Sequence, residues 1–371
     1  MDINHKVDID RLLEQMVKFK CSDLHLQEGF KPALRIDGQL RRLDMPPLTR
    51  EDMDGAIRKM LYPKQVDRFE RTSEADGSYC IEGLARFRIN AYSALNRFNL
   101  AIRYIPLEIP RLETLNLPAK VPEIALSPRG LVLVTGVTGS GKSTSLAAML
   151  RHVNENKRVK IITMEDPVEF LHSEEQASIS QREVGIDTES YSASLKQVFR
   201  QNPDVILLGE VRDQEVMSEA LSAAETGHLV FTTLHTADAV HTITRVLSFY
   251  PPHDHAAVRE VLSGVLVATH SMRLLPMKGG GRIPAIELMT NTALISQLIR
   301  EEGRLTDIPK LIQEGRSQYG MQTFDQSILE HFRNDLITYE VASHASSNPS
   351  EFDLAIQGIT AGGAEAQGAR G

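Results

Sequence analysis

The stretch from Gly136 to Ser143 carries the residue types that bind phosphate groups, at a defined spacing. It matches the pattern G-x-x-x-x-G-K-[S/T] at every fixed position. Glycines let backbone amides turn towards phosphate oxygens, a following helix N-terminus adds partial positive charge, and Lys142 adds a full charge. We therefore predict a site for ATP with Mg²⁺, in which Ser143 is a magnesium ligand. The expected nucleotide contacts are Gly136, Thr138, Gly139, Ser140, Gly141, Lys142, Ser143 and Thr144.

Two apolar stretches end in acids that could assist hydrolysis. Val205–Leu208 leads through a glycine to Glu210, which we expect to support Mg²⁺. Val159–Met164 leads to an acidic segment that contains Glu165 and Glu169, and one of these carboxylates could polarise the attacking water. Spacing alone does not choose between them. Charges at strand ends can also be merely solvated, and this alternative stays open.

Two histidines flank the apolar stretch Leu229–Thr233. His228 precedes it and His235 follows it. A histidine at such a position can sense a γ-phosphate or contact a neighbouring subunit. Their separation places them on opposite faces of one continuous strand, which argues against a shared metal site.

Arginines are concentrated in the predicted strands of the N-terminal region. Fixed guanidinium groups there could reach the phosphates of a neighbouring subunit in an oligomer. Most exposed arginines have no such role, so the alternative is a solvated surface. The candidates are Arg86, Arg88, Arg97 and Arg103.

Composition limits the function classes. The chain of 371 residues has a formal charge of −8, so nucleic acid is not expected as a partner. It lacks an apolar run of roughly 18 residues and a signal-peptide pattern, which favours a cytoplasmic location. The two cysteines, Cys21 and Cys80, are too few for a disulfide framework or a Cys₄ zinc site, and we expect both to be buried.

Apolar periodicity predicts an α/β protein with two domains. Alternating segments and amphipathic helices over residues 1–105 indicate a small α+β domain, and prolines in 106–128 indicate a linker. Alternation of strands and helices over 129–290 is typical of a parallel sheet with covering helices. Residues 291–359 are expected to be helical, and the tail 360–371 to be disordered.

The motifs together resemble the secretion-type ATPases, the superfamily of GspE, PilB and VirB11. Gly136–Ser143 resembles the Walker A motif of that family, and 162–170 resembles its Asp box. The segments 207–213 and 223–236 are similar to its Walker B motif and His box. Residues 22–26, 35–38 and 86–90 are similar to the N-terminal domain of the pilus-retraction branch, which comprises PilT and PilU.

The resemblance implies a PAS-like N-terminal domain, a RecA-like ATPase domain with C-terminal helices, and a homohexamer. It implies that Glu165 or Glu169 activates water, that His228 and His235 report the nucleotide state, and that N-terminal arginines close the site. It also implies a motor for pilus retraction and twitching motility. Such a motor acts on an inner-membrane platform protein at the pilus base, at the membrane periphery, alongside a paralogous ATPase in some systems.

Two features bear on the branch. The chain has no tetracysteine element, which favours retraction over assembly. The segment 293–301 reads Ala-Leu-Ile-Ser-Gln-Leu-Ile-Arg-Glu, without the arginine and asparagine of the Ala-Ile-Arg-Asn motif that the resemblance leads us to expect. A PilU-like accessory ATPase, a nucleotide-gated docking protein with little hydrolysis, and a nucleic-acid translocase on the same core are the alternatives.

Overall fold

A six-stranded antiparallel sheet forms in the N-terminal part of the chain. The computed structural model describes residues 7–36 and 38–356. The strands are β1 (Asp23–Gln27), β2 (Ala33–Ile36), β3 (Gln39–Arg42), β4 (Glu74–Ile81), β5 (Ala85–Ala94) and β6 (Arg97–Ile105). They lie in the order β3-β2-β1-β6-β5-β4, and all neighbours are antiparallel.

Alternation along β5 explains how this sheet acquires a core. Phe87 and Ile89 are completely buried, and the arginines between and before them point to the other face. Three helices accompany the sheet: α1 (Ile9–Lys18), α2 (Arg50–Met60) and α3 (Pro63–Thr72). Thr49 and Asp52 form a capping box at the start of α2. Leu13 and Met16 of α1 are buried in the same core.

The proline-containing segment 106–128 holds only short helices. One turn of 3₁₀-helix covers Leu112–Thr114, and α4 covers Val121–Ala125. Proline removes a backbone donor and blocks helix extension, so this outcome follows from the composition.

A second sheet has seven strands. They are β7 (Gly130–Thr135), β8 (Lys160–Glu165), β9 (Ser178–Glu183), β10 (Val205–Leu208), β11 (Leu229–Leu234), β12 (Leu266–Pro276) and β13 (Arg282–Thr290). The order is β13-β12-β7-β11-β10-β8-β9. Strands β12, β7, β11 and β10 are parallel to one another, whereas β13 is antiparallel to β12. All the residues of β7, β10 and β11 are buried, as in a sheet covered on both faces.

Helices make up most of the remaining regular structure. They are α5 (Lys142–Asn156), α6 (Tyr191–Val198), α7 (Gln214–Glu225), α8 (Ala239–Ser248), α9 (His255–Val265), α10 (Ala293–Arg300), α11 (Ile308–Glu314), α12 (Arg316–Tyr319), α13 (Phe324–Arg333), α14 (Tyr339–Ala345) and α15 (Pro349–Ile356). Phe324, Ile328 and Phe352 from the last helices pack with Leu275 and Ile283 in a separate core cluster. The helical character predicted after residue 291 is therefore confirmed up to residue 356.

The chain divides into two compact units. One comprises residues 1–109, 162–173 and 179–197, and the other comprises 110–161, 174–178 and 198–371. The α/β class predicted from the sequence is confirmed, and the apolar stretches that precede Glu165, precede Glu210 and lie between the two histidines form β8, β10 and β11. The domain boundaries stay predictions, and the predicted disordered tail lies outside the described residues.

The expectation that both cysteines are buried is wrong for one of them. Cys21 is buried, but Cys80 is exposed. Cys80 lies on β4, which is an edge strand, and every second side chain of such a strand can face solvent.

A buried ion pair joins β5 to β9 within the N-terminal unit. Arg86 Nη2 lies 3.0 Å from Glu183 Oε2, and the side chains are 12% and 5% exposed. Arg86 also donates to Ser78 Oγ and to the carbonyl oxygen of Val168. Burial raises the pKa of Glu183, and Arg86 partly opposes that increase.

Arg86→Met should lower the free energy of unfolding by about 3 kcal/mol, because it leaves a buried carboxylate without its cation. Arg88→Met is the matched control on the same strand: its guanidinium is 41% exposed and lies 3.6 Å from Glu169. We expect the control to cost less than about 1 kcal/mol. Urea unfolding of both full-length variants measures the difference, and equal losses would contradict the structural role of the Arg86–Glu183 pair.

Candidate functional site

The phosphate-binding loop connects the buried strand β7 to the helix α5. Gly136 has φ 144°, and a Cβ there would lie 2.5 Å from the carbonyl oxygen of Met272 and 2.6 Å from Ser140 Oγ. Gly141 precedes α5 with φ 100°. Both positions therefore require glycine. The buried Ser140 Oγ has no hydrogen-bond partner among the described residues, so the loop holds an unused polar atom.

Lys142 turns back onto its own loop. Its side chain is almost completely buried, and Nζ donates to the carbonyl oxygens of Gly136 at 2.7 Å and Val137 at 3.0 Å. Val137, Thr138, Gly139 and Ser143 are exposed, so the outer side of the loop is open to an incoming anion. Because the N-terminus of α5 carries partial positive charge, a phosphate group would compete with the two carbonyl oxygens for the ammonium group.

Glu210 lies just beyond the carboxyl end of β10. Its Oε2 accepts from Arg212 Nε at 3.0 Å and Nη2 at 2.8 Å. Its Oε1 lies 3.1 Å from His235 Nε2. Since β7, β11 and β10 are adjacent and parallel, the residues that follow them meet at one edge of the sheet. Glu210 thus lies at the same edge of the sheet as the phosphate-binding loop, where a Walker B acid is expected.

His235 lies between the two charged groups. Its Nδ1 is 3.5 Å from Lys142 Nζ, and its Nε2 faces Glu210. An ammonium group only donates and a carboxylate only accepts. The contacts therefore favour, for the neutral ring, the tautomer in which Nε2 carries the proton and Nδ1 accepts. The result is a continuous path of contacts from Lys142 through His235 and Glu210 to Arg212.

His228 occupies the opposite end of β11. Its Nδ1 lies 2.9 Å from the carbonyl oxygen of Ala223 and 3.2 Å from Thr226 Oγ1, and its ring packs edge-on against Phe199. Its carbonyl oxygen accepts from the amide of Gly130, at the start of β7. Six strand residues separate the two ends of β11, so the fold does not bring His228 to the phosphate-binding loop of its own chain. A contact with a neighbouring subunit stays a prediction for this residue.

Glu165 and Glu169 have different environments within the N-terminal unit. Glu165 accepts from Thr163 Oγ1 at 2.7 Å and Gln181 Nε2 at 3.4 Å. Burial of the carboxyl group raises the pKa of Glu165 to about 7, although these hydrogen bonds oppose the shift. Glu169 pairs instead with Arg88. The pKa of Glu165 thus suits a general base near neutral pH.

The other N-terminal arginines also have partners within their own unit. Arg103 Nε lies 2.9 Å from Asp23 Oδ1, and the guanidinium of Arg97 lies 5.6 Å from the ring centroid of Phe30. The donors of Arg86 face Ser78, Val168 and Glu183, as described above. A role of Arg86, Arg88, Arg97 or Arg103 in closing a nucleotide site stays a prediction.

Two features of this edge were missed from the sequence. Arg212 was not considered, although a residue two positions after an acid in extended backbone lies on the same side of the chain. A row of buried or half-buried hydroxyl groups was also missed. It links Thr236 to Thr242 at 2.7 Å, Thr242 to Thr135 at 3.5 Å and Thr135 to Ser271 at 2.9 Å. A single hydroxyl residue in an apolar stretch does not reveal its hydrogen-bond partner from the sequence, because that partner depends on tertiary packing.

The oxygen atoms at this edge of the sheet suit coordination of a hard cation such as Mg²⁺. Ser143 contributes an exposed hydroxyl at the start of α5, and Glu210 contributes a half-buried carboxylate. Mg²⁺ prefers oxygen and usually takes only one or two protein ligands together with substrate phosphates. In the described part of the chain no group of three or more His, Cys, Asp or Glu residues could hold a metal by itself. The residues therefore fit a magnesium ion that arrives with a nucleotide.

Comparison with known proteins identifies the family of this chain. A family model described as "Type II/IV secretion system protein" matches residues 4–276. The chain is 42% identical to the type IV pilus retraction ATPase PilT of Pseudomonas aeruginosa over 93% of this chain and 100% of that protein. It is 38% identical to the type IV pilus ATPase PilU of the same organism over 92% of this chain and 89% of the relative.

A solved structure gives the same result at the level of the fold. The crystal structure of the pilus retraction motor PilT with bound ADP is similar with a TM-score of 0.85 and 41% sequence identity. The match covers 93% of this chain and 98% of that one. This chain belongs to the type II/IV secretion ATPase family.

Proposed function

We propose that this chain is an ATP-hydrolysing motor that powers retraction of a type IV pilus. The observation that carries the proposal is the extent of the match to a retraction ATPase, which includes the whole of that relative and 93% of this chain. The charged groups at the end of the parallel strands supply the chemistry that such a motor needs.

The phosphate-binding loop and Lys142 would hold the β- and γ-phosphates. Lys142 Nζ would exchange the carbonyl oxygens of Gly136 and Val137 for phosphate oxygens, and Ser140 Oγ would gain a partner. Ser143 and Glu210 would hold Mg²⁺, which when bound neutralises charge on the phosphates. His235 contacts both Lys142 and Glu210, so it is placed to report the exchange of partners.

Glu165 is our candidate for the base that activates water. A carboxylate with a pKa of about 7 binds a proton better than an ordinary glutamate and still ionises near neutral pH. Glu169 is the alternative, and its partner Arg88 favours a charge-pairing role. The role of either residue requires it to reach bound nucleotide.

Assembly and partners are part of the same proposal. The motor would be a homohexamer in which one or more of Arg86, Arg88, Arg97 and Arg103 help to close a site, and His228 would contact a neighbouring subunit. It would act on an inner-membrane platform protein from the membrane periphery, with no nucleic-acid partner. No helix in the described part of the chain is long and apolar enough to cross a membrane.

A PilU-like accessory ATPase is the second candidate. The observation that favours it is the 38% identity to PilU over nearly the whole chain. The departure from the Ala-Ile-Arg-Asn motif in 293–301 is the sequence feature that keeps this alternative open.

Replacing Lys142 by Ala on the chromosome tests the proposal. The variant loses the cation for the phosphates, so cells should retain extra surface pili and lose twitching motility. Electron microscopy counts the pili. Lys18→Ala, at an exposed helix end, is the control and should behave as wild type.

Unchanged pilus number and motility in the Lys142→Ala strain would contradict a principal retraction motor. If an excess of pili then appeared only in a strain that also lacks a second retraction ATPase, the accessory role would be supported. Purified wild-type protein that hydrolyses no ATP would exclude the motor altogether.

The pH dependence of hydrolysis tests the choice of base. The folded-state pKa of Glu165 is raised, so the carboxylate forms as pH rises through about 7, and the rate should increase over that range. Glu165→Gln should lower single-turnover hydrolysis by about 10²- to 10⁴-fold. Glu169→Gln should keep most of the rate and the same rise with pH. If Glu169→Gln lowered the hydrolysis rate more than Glu165→Gln, the general base would be Glu169 instead.

A further inference from the structure

Glu210 is held from both sides by neighbouring side chains. Arg212 places two donors on Oε2, and His235 contacts Oε1. The Glu210 side chain is 21% exposed, whereas that of Arg212 is 65% exposed. The acid is therefore fixed near the sheet edge, and the arginine reaches it from the solvent side.

The two donors of Arg212 compete with a metal ion. Both N–H groups point at Oε2, and an oxygen engaged by two donors in a fork has little remaining capacity for a cation. A guanidinium beside the carboxylate also repels a divalent cation electrostatically. Because Arg212 is mostly exposed, its side chain can leave towards solvent without opening the core.

We propose that Arg212 is a positioning residue that occupies the Glu210 carboxylate until magnesium and nucleotide displace it. The inference rests on the proposed function, in which Glu210 supports Mg²⁺. Arg212 thereby sets the magnesium concentration at which the site is completed, and it prevents Glu210 from adopting its metal-binding position in an empty site.

The expected effect is small because the pair is largely exposed. Exposed ion pairs contribute modestly, which corresponds to about a two- to fivefold change in the magnesium concentration needed for half of the full effect. A fork with two donors lies at the upper end of that range.

Binding of a fluorescent, slowly hydrolysed ATP analogue to full-length protein, titrated with Mg²⁺, tests this inference without relying on turnover. Arg212→Gln should lower the half-maximal Mg²⁺ concentration about two- to fivefold and leave affinity in EDTA unchanged. Arg212→Lys should give a half-maximal Mg²⁺ concentration between those of the wild type and Arg212→Gln, since an ammonium group lacks the two fixed donors of a guanidinium group. Arg245→Gln is the matched control: Arg245 lies 4.5 Å from the ring centroid of Phe249 and donates to Ser248, and its replacement should change nothing.

An unchanged or increased magnesium requirement in Arg212→Gln would overturn the inference. So would a loss of analogue affinity in EDTA, because that result would mean that Arg212 contacts phosphate directly. Either failure can occur while the wild type still hydrolyses ATP, whereas absence of wild-type hydrolysis would refute the proposed function itself.

Discussion

The buried ammonium group of Lys142 is the constraint on which the site depends. A buried charge is tolerated only when its donors are bonded, and the acceptors of the Lys142 ammonium group include the carbonyl oxygens of Gly136 and Val137. The close approach of Met272 to Gly136 leaves no room for a side chain there. The Lys142 ammonium group can therefore exchange these carbonyl oxygens for a stronger hydrogen-bond acceptor, and a nucleotide phosphate is such an acceptor.

The parallel sheet extends this constraint to the other charged groups. Strands β7, β11 and β10 end side by side, so the residues that follow them share one small region. His235 can contact both Lys142 and Glu210 only because these three strands are neighbours. A change in the contacts of Lys142 can therefore alter the contacts of Glu210, because the His235 ring touches both side chains. This physical connection gives nucleotide binding a means of preparing the metal-binding residue.

Sequence reasoning reached the elements whose signals are local. The glycine spacing located the loop, and continuous apolar runs located the buried strands. It also identified Glu210 and His235, because both follow directly after such runs. It did not separate the environments of Glu165 and Glu169, since the raised pKa of Glu165 depends on burial in the folded chain, which no local pattern predicts.

Other features depended on contacts that sequence alone does not reveal. The contacts of Arg86 with Glu183, Ser78 and Val168 within the N-terminal unit were not predicted, and its role in closing a nucleotide site stays a prediction. The hydroxyl row from Thr236 to Ser271 joins residues from four separate elements or loops. Close by in sequence, the amide of Ala239 donates to Glu287, a buried acid whose pKa burial raises to about 7. These contacts form between elements that are distant in sequence, and no local sequence pattern predicts them.

The protonation state of His235 tests the central claim most directly. Nitrogen NMR of ¹⁵N-histidine-labelled protein, assigned with His235→Gln, distinguishes the two ring nitrogens among the 12 histidines of the chain. The account predicts that Nε2, which faces Glu210, carries a proton before nucleotide is added, and that the ring-nitrogen signals change when Mg²⁺ and nucleotide are added. An unprotonated Nε2 in the free protein, or signals that do not respond to nucleotide, would contradict it.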